Sequence, residues 1–84
     1  MNMTVNEEHS RPTQCEIIIR HLEDYGSITP VEGLKEYGIM RLASRVSELN
    51  KRGAHIIAEM VTGKNRYGEK VHYARYSFAT KKEN

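Results

Sequence analysis

The chain has 84 residues, 38% hydrophobic and 29% charged, with a formal net charge of +2. That length suits one domain with a small core and leaves little scaffold for a large catalytic cleft. No apolar run approaches the roughly 18 residues of a membrane span, Met1 to Ser10 lacks the apolar core of a secretory signal, and the single Cys15 cannot pair within the chain, so a cytoplasmic protein is expected.

Residues 1–11 show no hydrophobic period and read as a flexible arm. A first helix is predicted over Thr13 to Tyr25. Thr13 and Glu16 make a T-x-x-E capping box after Pro12, and Cys15, Ile18, Ile19, Leu22 and Tyr25 recur on one face. Gly26 supplies the left-handed stop. A short second helix is capped by Thr29, opens on Pro30 and completes its own box with Glu32. Val31 and Leu34 are its expected buried contacts, and Gly38 ends it.

The third helix is predicted from about Met40 to Arg52, closed by Gly53. Ile39, Leu42, Ala43, Val46 and Leu49 form its apolar side. Arg41, Ser44, Glu48, Lys51 and Arg52 lie opposite, with Arg45 and Ser47 on the flanks. Neither Ile39 nor Met40 can accept a hydrogen bond from the free amides at its start.

The period then changes. His55 to Val61 reads as a strand, Thr62 to Lys70 as a turn region around Gly63, Asn65 and Gly68, and Val71 to Phe78 as a second strand. His72, Ala74, Tyr76 and Phe78 alternate onto the face expected to be buried. An isolated hairpin is marginal in water, so this one must pack on the helices. The expected organisation is one domain over 12–79 with a flexible tail over 80–84.

Charge separates the two halves. Residues 1–38 carry three bases and seven acids, whereas residues 39–84 carry ten bases and four acids. A solvated basic surface would account for this, but the asymmetry also fits a polyanionic partner for the C-terminal half. No cofactor, metal or catalytic site is expected. His9, His21, His55 and His72 lack ligand spacing, Cys15 falls in the apolar stripe of the first helix, and the adjacent Glu23 and Asp24 diverge. Gly63 and Gly68 flank a hairpin turn and open no helix, unlike a phosphate-binding loop.

Three helices with a tight second turn, followed by a hairpin, make an α+β winged helix: a helix-turn-helix core with a two-stranded wing. In a helix-turn-helix the second helix of the motif enters the major groove of DNA. Arg41, Ser44 and Glu48 are then placed to meet base edges, and Arg45, Lys51 and Arg52 to meet phosphates. Lys64, Arg66 and Lys70 supply a second basic element on the wing.

The stretches TQCEIIIRHL (13–22), GSITPVEGL (26–34), YGIMRLASRVSELNKRG (37–53) and ARYSF (74–78) resemble the small winged helix-turn-helix domains of bacteriophage and prophage genomes. The resemblance implies a sequence-specific, non-enzymatic binder of double-stranded DNA in the cytoplasm of a bacterial host. It would regulate transcription of phage-related genes or assist packaging or recombination. The alternative is a protein-interaction module on the same fold without nucleic acid. Ile17, on the outward side of the first helix, is a candidate contact for a weak homodimer.

Overall fold

A computed structural model describes residues 12–79. The expected arm and tail lie outside them. Three helices precede one antiparallel hairpin: α1 (Gln14–Tyr25), α2 (Pro30–Tyr37), α3 (Leu42–Lys51), β1 (Ile56–Lys64) and β2 (Lys70–Phe78). This is the expected α+β arrangement.

Local chemistry sets the helix ends. Both predicted capping boxes form: Thr13 and Thr29 accept from the amides of Glu16 and Glu32, whose carboxylates accept from the two threonine amides in return. Gly26 (φ 90°) and Gly38 (φ 71°) close α1 and α2 in the left-handed region. The third helix starts two residues later than predicted. Arg41 occupies its N-cap position and makes no side-chain cap bond.

The core joins all three helices to the base of the hairpin. Ile18, Ile28 and Ile39 are its fully buried centre, ringed by Cys15, Leu22, Leu42, Val46, Leu49 and Ile56. Ile28, in the link between α1 and α2, also joins the sheet. Its amide donates to the Tyr76 carbonyl (2.9 Å) and its carbonyl accepts from the Tyr76 amide (2.8 Å). On α1 and α2, four residues expected to be buried or outward are placed otherwise. Tyr25 is 73% exposed, at the last turn of α1. Val31 (66%) and Leu34 (53%) face outward, because α2 approaches α3 through Gly33. A β-carbon on Gly33 would already touch Leu42 at 3.6 Å and Ile39 at 3.8 Å, so backbone, and no long side chain, fills that contact. Ile17 is half-buried against the core, and not free on the outward side.

The strands are longer than predicted. They run in register from Ile56↔Phe78 to Lys64↔Lys70, which leaves a loop of only Asn65 to Glu69. Asn65 Oδ1 accepts from the amides of Tyr67 and Glu69, and Gly68 takes φ 79°. The ring of Tyr73 packs over Gly63, 3.2 Å from where a β-carbon there would stand, so a larger residue would have to displace the ring by a few tenths of an ångström. Ala74, Tyr76 and Phe78 are half-buried as expected, whereas His72 is exposed and shares a hydrogen bond with Thr62 (3.2 Å).

Candidate nucleic-acid interface

Helix α3 is fixed on three sides. Leu42, Val46 and Leu49 seat it on the core. On the α1 side, Glu48 accepts from the Cys15 thiol (3.6 Å) and pairs with Arg45 (3.3 Å). Burial, reinforced by Glu48, pushes the Cys15 thiol above its ordinary range, which keeps it a neutral donor. On the hairpin side, Asn50 grips Ile56 through both backbone groups. Its Oδ1 accepts from the amide (2.6 Å) and its Nδ2 donates to the carbonyl (2.9 Å).

These anchors decide which side chains remain available. Arg41, Ala43, Ser47, Lys51 and Arg52 are exposed. Ser44, Arg45 and Glu48 are half-buried, and the last two are occupied with each other. Ala43, expected on the apolar side, turns out to solvent. With Ser47 and Lys51 it forms one wall of a shallow groove of about 440 Å³, whose other wall is Ile56, Ala58 and Tyr76.

The wing carries the second basic cluster. Lys64 and Lys70 stand directly opposite each other, and Arg66 sits in the loop between them. All three are exposed, and none has an acidic partner within ion-pair distance among the described residues. Glu69 is engaged with the Asn65 amide (2.9 Å). Arg75, by contrast, is held by Glu59 across the strands at 2.9 Å. Like charges placed opposite each other disfavour the hairpin, so this tip holds charge that its own fold does not use.

Period-two alternation puts Lys64 and Lys70 on the same sheet face as Ile56, Ala58, Tyr76 and Phe78, the face that packs on the helices at the base. Eight strand steps separate Ile56 from Lys64, a reach of about 26 Å. The structure therefore presents two basic elements well apart, one on α3 and one at the hairpin tip.

Sequence reasoning missed three residues that build this surface. Asn50, in the last turn of α3, carries no motif that marks it, and Ile28 falls in the link between two helices. His21 is buried and shares a 2.6 Å hydrogen bond with the Tyr37 hydroxyl, joining α1 to α2. Its position between Ile18 and Leu22, inside the apolar arc of α1, was the available signal.

A family model described as a winged helix-turn-helix domain matches residues 13–81, nearly the whole described chain. A comparison with curated proteins finds no match.

Proposed function

Because the chain belongs to the winged helix-turn-helix family, we propose that it is a sequence-specific binder of double-stranded DNA, acting as a regulator of phage or prophage genes. DNA binding in general is what membership of the family indicates. Duplex binding rests on one observation above all: the Lys64–Lys70 pair, with Arg66, is exposed at the end of a projecting hairpin with no acidic partner among the described residues.

In this reading α3 lies in the major groove. Arg41 and Ser44, near its start, face base edges, joined by the exposed Ser47. Lys51 and Arg52 meet phosphates, as do Lys64, Arg66 and Lys70 from the wing. Arg45 and Glu48 act from behind, tying α3 to α1. The reach of the wing carries its charges to backbone beyond the base pairs under α3.

The test is a titration of labelled duplexes at two or more salt concentrations. With about five phosphate contacts, log K falls against log salt with a slope of about −4 to −5. Undetectable binding to mixed duplex fragments at low salt overturns the reading and leaves the protein-interaction alternative.

A further inference from the structure

We propose that the chain dimerises through the open edge of β1, which adds to the β1 of a second copy in antiparallel fashion to make a four-stranded sheet. The inference does not depend on nucleic acid being the ligand.

The geometry of the ladder fixes which backbone groups are free. The hydrogen bonds Ala79 N to His55 O and Asn65 N to Glu69 O bracket the hairpin, and both join odd-numbered residues. In an antiparallel pair the bonded and non-bonded positions alternate. Ile57, Glu59, Val61 and Gly63 therefore spend their amides and carbonyls on β2, and Ile56, Ala58, Met60, Thr62 and Lys64 direct theirs to the open edge. The side-chain bonds from Asn50 to both groups of Ile56 show that edge being satisfied at the base. On β2 the equivalent outward groups of Tyr76 are taken by Ile28. No backbone group among the described residues pairs with the outward groups of Ala58, Met60, Thr62 or Lys64.

Edge strands are ordinarily guarded by proline, a bulge, repeated charge or a covering segment. From Ile57 to Gly63, β1 has no proline, bulge or repeated charge, and no segment among the described residues pairs with its edge. Its one charge, Glu59, is already neutralised by Arg75. β1 carries one charge along its edge, Lys64 at the tip, whereas the β2 edge is already taken at Tyr76 by Ile28 and bears the exposed His72 beside Lys70. Apolar side chains also stand in water on this half of the hairpin: Ile57, Met60, Val71 and Tyr73 are all exposed. A two-stranded ribbon is marginal by itself, and additional strands give it independent stability.

A second copy fits because β1 is self-complementary. Outward residues must meet outward residues, and Ile56 is excluded by Asn50. The register that uses all four free positions pairs Ala58 with the partner's Lys64 and Met60 with the partner's Thr62, and repeats both pairs by symmetry. The two-fold axis then passes between the Val61 residues, a non-hydrogen-bonded pair with its side chains close together. No like charges fall opposite each other in this register, and each lysine-bearing tip comes alongside the partner's hairpin base.

The experiment is sedimentation equilibrium of the full chain from micromolar to about 200 µM, a range in which a concentration-dependent dimer reveals itself. A dimer that persists at high salt is expected. Thr62→Pro removes an outward amide that β2 does not use, so it weakens association by at least about tenfold while the thermal melt shows a folded chain. Val61→Cys gives a disulfide-linked dimer under mild oxidation, the native Cys15 being buried. A monomer at every concentration overturns the proposal, as does a dimer indifferent to Thr62→Pro. A dimer that Thr62→Pro breaks but Val61→Cys fails to cross-link overturns the register.

Discussion

The helical half and the outer half of the hairpin are held together in different ways. Around Ile18, Ile28 and Ile39 the chain buries the apolar stripes of α1 and α3, with Ile56, Tyr76 and Phe78 of the hairpin base packed against them, while Tyr25, Val31, Leu34 and Ala43 stay outside. Beyond Ala58 and Tyr76, the hairpin is held by its own register, by the Asn65 turn and by Tyr73 over Gly63, with apolar and basic side chains alike in solvent. Stability resides in the first region. Among the described residues, the wing lysines and the outward backbone groups of β1 in the second have no partner, and these are what it offers to others.

The largest expected contrast comes from truncating one apolar residue in each region. Ile18→Ala lowers unfolding free energy by about 2–5 kcal/mol through transfer and cavity terms. Met60→Ala stays within about 0.5 kcal/mol, since its side chain stands largely in water. Denaturant melts of the two variants measure the difference directly. Equal losses would mean that the hairpin is as integral to the core as the helices.

Asn50→Ala tests the joint between the regions. It leaves both backbone groups of Ile56 without their side-chain partner, a loss of about 1–3 kcal/mol. Amide exchange read residue by residue is expected to quicken in the hairpin more than at Ile18 or Leu22. Uniform quickening would show that the clamp supports the whole fold and not the wing alone.

Removing the wing charges sharpens the division of labour. Lys64→Ala with Lys70→Ala weakens all duplexes alike and flattens the salt slope by about 1.8. Stability stays within about 0.5 kcal/mol, because no partner is lost. Arg41→Ala, on α3, is expected to change the ranking of duplex sequences instead. A wing variant that reorders sequence preference would reverse the assignment.

The smallest effect is a pH dependence within the core. The Cys15 thiol, raised by burial and by Glu48, binds its proton more tightly folded than unfolded. Its contribution is therefore complete below the ordinary thiol value of 9.0 and declines as pH rises past it toward the folded value. A chemical-denaturation series into alkaline pH should show this decline, and Cys15→Ser should lessen it. Slow reaction of the folded chain with a thiol reagent is the companion observation.

Much of the fold was legible locally. Thr13–Glu16 and Thr29–Glu32 named two helix starts, Gly26 and Gly38 named two ends, and the change from helical to alternating period located the hairpin. These signals act over three or four residues, so neighbours in sequence suffice to determine them. The basic residues of α3 and the wing could be named in the same way. Which of them stand free could not, because Arg45 and Glu48 are committed by Cys15 and by each other, a contact between residues 33 apart in the case of Cys15 and Glu48.

The sequence by itself determined the order of elements, the caps of α1 and α2 and the basic character of the C-terminal half. Tertiary structure decided that α2 touches the core through Gly33 and leaves Val31 and Leu34 in water, that Ile28 extends the sheet, and that Asn50 closes one end of the β1 edge while no other described residue pairs with it. The reason is the range of the forces involved. Periodicity states which residues are able to be buried, but burial requires an opposing surface. Where a helix approaches by its glycine, or a strand has no neighbour, that surface is set by packing across the chain.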